Sequence, residues 1–303
     1  MPVTTPVAVF PFIGSEVEVD YQTSKVVILP IPYEATTTYR KGCQNGPQAM
    51  LEASDQLEYY DEELDRELCF EVGIHTHNSI ADTRNGAIVS AQQMLEATQN
   101  TIRRLATDGK FAIAIGGEHS ITAGVVAGYR EAYGDEPFTV VQIDAHGDLR
   151  HEYEGSIHNH ACVMHRVMDM GLPTVQIGIR SICKEEAELI KERQIPVFWG
   201  RDVAENPNWI DRAIAAIETD RVFVTIDLDG IDPTLIPGVG TPQPGGLGWY
   251  SCLRFLRRVF ESRTVIGCDI MELAPLQDSV VSEFTAATLT YKLIGYQALS
   301  QGW

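Results

Sequence analysis

The sequence predicts an α/β fold built on a parallel sheet, and three observations predict it. Seven short runs of apolar, β-branched residues recur along the chain: KVVILPIP (25–32), KFAIAIGG (110–117), FTVVQIDA (138–145), TVQIGIR (174–180), IPVFWG (195–200), RVFVTIDLD (221–229) and RTVIGCDIME (263–272). Runs that are apolar at nearly every position read as strands buried on both faces, as in parallel sheets. Segments of helical periodicity lie between many of them, and strands alternating with helices imply βαβ units. No fixed-period repeat, low-complexity tract or linker interrupts the pattern, so one domain over residues 1–303 is expected.

The helical segment 87–109 is the clearest. It places Ile88, Met94, Leu95, Ile102 and Leu105 in a helical pattern and ends in basic residues and Gly109. Four further helices are expected over 120–133, 184–194, 208–218 and 248–261. The segment Asp61–Asn85 and the loop after Asp232 give the weakest signals.

Composition narrows the class. A hydrophobic fraction of 44% and a charged fraction of 21% are those of an ordinary soluble protein. No apolar stretch is long enough for a membrane span. The start, MPVTTPVAVFPFIG, has no basic leader and no long apolar core, so it is not read as a secretory signal. The six cysteines, Cys43, Cys69, Cys162, Cys183, Cys252 and Cys268, are scattered and form no C-x-x-C pair. They fit reduced thiols of a cytoplasmic protein. A formal net charge of −19 opposes nucleic-acid binding and suits a cationic small molecule, although it also serves solubility.

In open α/β sheets, sites form beyond the carboxyl ends of strands. Several of the runs end in chemistry. FAIAIGGEHS ends in Glu118 and His119. VVQIDAHGDLR presents Asp144, His146 and Asp148, which would share one side of an extended segment. VFVTIDLDGIDP presents Asp227 and Asp229, with Asp232 before Pro233 read as turn chemistry. VIGCDIMELAP presents Asp269 and Glu272. Taken singly, each has an ordinary structural explanation. Together, three strands bring four Asp and two His to one sheet edge. Desolvating those carboxylates without a cation would be costly. The mixed oxygen and nitrogen set, free of thiolate, suits two divalent ions and favours Mn²⁺ over a structural zinc. Two such ions, about 3.5–4 Å apart, can hold a hydroxide and lower its pKa toward neutrality, which makes a hydrolytic centre.

GGEHS, DAHGDLR, DLDGIDP and MELAP, in this order, resemble the ureohydrolase signatures of arginases and agmatinases, and the resemblance runs from about Val26 to Leu293. RKGCQNGPQAM (40–50) and GVGTPQPGGL (238–247) look more like agmatinases. The resemblance implies a three-layer arginase-like fold, with a central, mostly parallel sheet and helices on both faces. It also implies two Mn²⁺ per subunit. Asp144 and Asp227 would bridge the metals, His119 and Asp148 would complete one site, and His146 and Asp229 the other. Glu272 matches the glutamate that receives the guanidinium. His160, in NHACVMHR, matches a proton-shuttle histidine, with His158 and His165 close by. Hydroxide held between the metals and oriented by Asp148 would attack the guanidinium carbon, and the amine would leave with a proton, by way of His160. Glu118 stands where many members carry Asp, and Ala161 where arginases carry Gly; little consequence is expected of either.

Arginases usually carry Asp directly after the G-[LI]-R of the strand matching QIGIR, where it helps hold the substrate α-amino group. Here Ser181 follows Arg180. That favours agmatine, cleaved to putrescine and urea as in polyamine biosynthesis, over arginine. Glu154 is a candidate partner for the distal ammonium. Arg150 and Arg166 keep carboxylate-bearing guanidines such as guanidinobutyrate or guanidinopropionate open, and free guanidine is a further alternative. A ureohydrolase-like binding protein without turnover and a deacetylase of related fold are the competing classes. A cytoplasmic homotrimer or homohexamer is the expected assembly, with neither nucleic acid nor membrane as partner.

Overall fold

The computed structural model of the chain describes residues 10–303. The stretch read above as lacking a secretory signal begins in residues 1–9, which lie outside the described residues. Eight strands form one sheet: β1 (Val26–Ile31), β2 (Ile74–Thr76), β3 (Phe111–Gly116), β4 (Phe138–Ile143), β5 (Thr174–Ile179), β6 (Val197–Trp199), β7 (Arg221–Asp227) and β8 (Thr264–Met271). Their order across the sheet is β2-β1-β3-β8-β7-β4-β5-β6, and every pairing is parallel. Each of the seven runs read as a strand is one. The eighth strand, β2, was hidden in the weak segment Asp61–Asn85. It is three residues long, lies at an edge, and buries only Ile74 fully, so it carries no apolar run.

Ten helices accompany the sheet among the described residues: α1 (Gly46–Ser54), α2 (Cys69–Val72), α3 (Ala91–Thr107), α4 (Thr122–Tyr133), α5 (Val163–Asp169), α6 (Lys184–Arg193), α7 (Gly200–Glu205), α8 (Trp209–Ala216), α9 (Trp249–Ser262) and α10 (Val281–Gln301). The strand side chains alternate between two cores. Val26 and Ile28 of β1 face one core with α1, α8, α9 and α10; Val27, Leu29 and Ile31 face the other with α3, α4, α5 and α6. This is the three-layer arrangement expected, and the period of two along each strand produces it.

Two helix expectations change. The helix read over 87–109 starts at Ala91, where the Ser90 hydroxyl accepts from Gln93 N and the Gln93 side chain returns to the Ser90 N–H. Ile88 therefore lies before the helix and is 97% exposed, not part of its buried face. Helices α1, α2, α5, α7 and α10 are not among the five that the periodicity predicts, and α10 is the longest of them. It is buried on nearly every side from Ala286 to Ala298, so no apolar stripe marks it. Its one buried cation, Lys292, pairs with Asp61 at 2.8 Å and ties the segment around residue 61 to the core. Among the described residues no helix is long and apolar enough to cross a membrane, and the six cysteines are free thiols.

Candidate active site

The four central strands, β3, β8, β7 and β4, are neighbours in the sheet and all point the same way. Their carboxyl ends therefore deliver four loops to one edge. His119 follows β3, Asp144, His146 and Asp148 follow β4, Asp227 ends β7 with Asp229 just beyond, and Glu272 follows β8. Two glycines let these loops close on one another. A Cβ on Gly117 would lie 2.0 Å from the Tyr33 carbonyl oxygen, and one on Gly230 would lie 2.6 Å from the Asp144 nitrogen. Each position admits only glycine because backbone, not a movable side chain, occupies the space.

The convergence expected of D-x-H-x-D is present, but not by extension of the strand. β4 ends at Ile143. The chain then turns, with His146 N donating to Asp144 Oδ1 at 2.6 Å and Asp148 at φ 51°. Glu272 has φ 67°. Left-handed backbone at two non-glycine site residues is costly and is held by the surrounding structure.

His119 Nδ1 lies 3.2 Å from Asp144 Oδ2, 3.1 Å from Asp148 Oδ2 and 3.3 Å from Asp227 Oδ2. His146 Nδ1 lies 3.0 Å from Asp229 Oδ2 and 3.6 Å from Asp144 Oδ1. Two groups of donors result, His119–Asp144–Asp148 and Asp144–His146–Asp229, and they share Asp144. Neighbours hold the donors in place. His119 Nε2 lies 2.9 Å from Thr225 Oγ1, which leaves Nδ1 to the cluster. Gln142 Nε2 donates to Asp144 Oδ2 at 2.7 Å, Ala145 N to Asp229 Oδ1 at 3.1 Å, and Thr241 Oγ1 to Asp229 Oδ2 at 3.2 Å.

This donor set fits a pair of divalent cations. His119 Nδ1 is buried and makes no hydrogen bond of proper geometry, although three carboxylate oxygens surround it. That is how ligands arrange around a cation. Charge gives the same answer. Burial raises the Asp148 and Asp227 carboxyls, and repulsion from neighbouring aspartates adds to it, holding Asp148 up to about 7. Burial alone would lower the two histidines, but the aspartates override it. His119 is raised well above its ordinary value and His146 to about 12. Without metal, both imidazoles therefore hold protons that a ligand must give up. Metal uptake is expected to release protons, and apparent affinity to fall as pH is lowered. Calorimetry in two buffers of different ionisation enthalpy measures this; uptake without proton release would contradict the assignment.

A cavity of about 320 Å³ opens over this cluster, lined by His146, Asp148, Asp227, Asp229 and Glu272 at its floor. Glu272 is buried, and its Oε1 accepts from His119 N at 2.7 Å. His160 and Ala161 line the wall, whereas His158 and His165 do not; His165 Nδ1 instead meets the Leu149 carbonyl at 2.8 Å. Ser181 also lines the cavity, with Ile182, Cys183 and Glu186 next to it.

The candidates for the far end of the substrate separate clearly. Glu154 is exposed on the tight turn between Tyr153 and Ser156 and does not line the cavity. The acid in the wall is Glu186, buried at the start of α6, where its two oxygens accept from Leu149 N at 2.9 Å and Cys183 N at 2.8 Å. The sequence signal was a glutamate three residues into a helix, which reads as a cap and nothing more. Arg150 lines the cavity and lies over the Tyr153 ring at 4.7 Å. Arg166 is buried in α5, pairs with Asp169 at 3.1 Å and does not line the cavity. Asp232 serves the loop after it, accepting from Thr234, Gly245 and Gly246 nitrogens.

A three-layer sheet protein with two histidines and four aspartates gathered at the carboxyl edge of its central strands has the construction of a binuclear metal hydrolase. Comparison with known proteins gives the particular family. The Arginase family model matches residues 24–295, and the chain belongs to that family. It is 58% identical to an N(1)-aminopropylagmatine ureohydrolase of Synechocystis sp. over 290 residues, 96% of this chain and 94% of the relative. An agmatinase of Pyrococcus horikoshii is 33% identical over 283 residues, 92% of this chain and 94% of the relative. The crystal structure of the agmatine ureohydrolase of Thermoplasma volcanium superimposes with a TM-score of 0.84 at 29% identity, covering 98% of this chain and 97% of that one. The chain is thus a ureohydrolase of the agmatinase type. Family membership removes the deacetylase alternative.

Proposed function

We propose that this enzyme hydrolyses N1-aminopropylagmatine, a guanidine carrying two further ammonium groups, to the corresponding triamine and urea. The identity of 58% across nearly the whole chain with a protein of that name carries the reading. The cavity is consistent with it. Glu186 lines the cavity with Ser181, and its buried carboxylate, which already accepts from Leu149 N and Cys183 N, is the acid we assign to an ammonium. Agmatine is the second reading, favoured by the agmatinase relatives; it is the substrate expected from the motifs.

The residues divide the work as follows. Glu272 receives the guanidinium at the buried end of the cavity and orients its carbon over the aspartate cluster. His119, Asp144, Asp148, Asp227, His146 and Asp229 would hold two divalent cations, Mn²⁺ by donor type. Bound there, the cations supply Lewis acidity and acidify a water at neutral pH. Asp148 orients the attacking water toward the guanidinium carbon. His160 gives a proton to the departing nitrogen as the carbon–nitrogen bond breaks. Burial lowers the His160 pKa, so the protonated ring is a stronger acid but is less populated at neutral pH. The same reading places the enzyme in the cytoplasm, in polyamine biosynthesis, as a homotrimer or homohexamer.

The test is urea release by the Mn²⁺-loaded enzyme from aminopropylagmatine, agmatine, arginine and 4-guanidinobutyrate in parallel. One additional charge-assisted hydrogen bond predicts a kcat/KM for aminopropylagmatine about tenfold above that for agmatine. Equal values, or preference for agmatine, would establish the second reading. Turnover of arginine or 4-guanidinobutyrate alone would overturn both.

A further inference from the structure

Glu118 is a charged residue with no exposure that lies outside the group of residues assigned to the metals, and the reaction as described gives it no task. It is 0% exposed. Its carboxylate reaches across to the loop leaving β1. Oε2 accepts from Ala35 N at 2.5 Å and Thr36 N at 2.6 Å, and Oε1 accepts from Thr36 Oγ1 at 2.8 Å. The loop is brought there by the strand ends: Gly117 N donates to Ile31 O and Glu118 N to Tyr33 O, both at 3.0 Å. The far side of the same Thr36 hydroxyl faces His160. Thr36 Oγ1 accepts from His160 N at 3.0 Å and lies 3.3 Å from His160 Nδ1.

We propose that Glu118 and Thr36 are positioning residues that fix the orientation and tautomer of His160. This rests on the reading of His160 as the proton donor. A hydroxyl has one proton, and the Glu118 carboxylate is met only by donors, Ala35 N, Thr36 N and the hydroxyls of Thr36 and Ser120. Thr36 therefore gives its proton to Glu118 and can only accept on the side facing His160. The Nδ1 atom beside it must then carry a hydrogen. Neutral His160 is the Nδ1–H tautomer, and Nε2 is the nitrogen left to the cavity. When the ring is protonated, Nδ1–H stays on Thr36 and Nε2–H is the proton that can be passed on. In that transfer the Nε2–H bond breaks, an N–H bond forms on the departing amine, and the ring returns to its Nδ1–H form. The proton lost by the attacking water, carried through solvent, restores the protonated ring. The same contacts explain why glutamate serves at position 118. The carboxylate has to reach a neighbouring loop, and the longer arm gives that reach.

The experiment uses full-length enzyme labelled with ¹⁵N-histidine and loaded with diamagnetic Mg²⁺, with the His160→Asn spectrum assigning the His160 signals. Long-range ¹H–¹⁵N correlations are expected to show the Nδ1–H tautomer in the wild type and to lose that preference in Thr36→Val. In the Mn²⁺-loaded enzyme, Thr36→Val is expected to lower kcat about tenfold at unchanged KM and metal content, the effect of one lost hydrogen bond expressed only in the reaction step. Thr36→Ser, which keeps the hydroxyl, is expected to restore both tautomer and kcat. Glu118→Asp, with its arm shortened, should lower kcat in the same direction as Thr36→Val. An Nε2–H tautomer in the wild type, or an unchanged tautomer and kcat in Thr36→Val, would overturn the proposal. His160→Asn with wild-type kcat would remove the proton-donor role instead, and the tautomer spectra would still decide whether the pair holds the ring.

Discussion

Replacing Asp227 with asparagine is expected to lower urea production by about a thousandfold or more, the scale of losing several kcal/mol of metal-supplied charge stabilisation. Asp227 is buried at the end of β7, and its Oδ2 lies 3.3 Å from His119 Nδ1. Its Oδ1 accepts from Asp229 N at 2.9 Å, which turns the chain so that Asp229 reaches His146. Through Oδ2 it meets His119 of one donor group, and through Oδ1 it holds the backbone of Asp229 of the other, so an amide there disturbs both. The metal content of the dialysed variant should fall below two ions per chain. Thermal unfolding separates this from misfolding. Burial, with repulsion from Asp229 and Asp144, raises the Asp227 carboxyl, so without metal the charge is a liability. The metal-free variant should therefore melt at or above the metal-free wild type. Wild-type turnover with two ions bound would refute the assignment.

Glu272→Gln is expected to act on the substrate and not on the metals. The side chain is buried at the cavity floor, and a glutamine oxygen can still accept from His119 N, as Glu272 Oε1 does at 2.7 Å. On the proposed role, what is lost is the negative charge that would face the guanidinium. Breaking a buried ion pair costs about 3–5 kcal/mol, so kcat/KM should drop by about two to four orders of magnitude. Two metals should remain bound. The pH dependence has a definite sign. Burial, and then the charge of Glu118, raise the Glu272 carboxyl to about 8. That value belongs to the site without its cations, which favour the ionised form when bound. Only the ionised form can pair with a guanidinium, so KM is expected to fall as pH rises through the Glu272 titration, and Glu272→Gln should lose that dependence. A variant that bound substrate normally but lost its metals would place Glu272 in the metal shell instead.

The legible parts of this protein share a physical cause. β1, β3, β4, β5, β6, β7 and β8 are read directly because a strand covered on both faces must be apolar almost throughout. His119, the D-x-H-x-D triplet, the D-x-D pair and Glu272 are read because each sits within a few residues of such a strand's end, where a parallel sheet gathers its loops. The order GGEHS, DAHGDLR, DLDGIDP, MELAP then carries the family. α10 escaped because burial on every side erases the stripe that marks a helix. β2 escaped because a three-residue edge strand has too little apolar surface to signal itself.

By itself, the sequence determined the α/β class and the ureohydrolase family and offered a candidate set of metal donors, because these depend on residue types at short spacing along one strand end. Tertiary structure decided which groups actually meet. It set His160, and not His158 or His165, in the cavity wall. It kept Glu154 and Arg166 out of that cavity and brought in Glu186. It joined Glu118 to Thr36 and Thr36 to His160 across 82 and 124 residues of chain. Contacts at such separation are fixed by how loops pack at the sheet edge, and no local pattern encodes them.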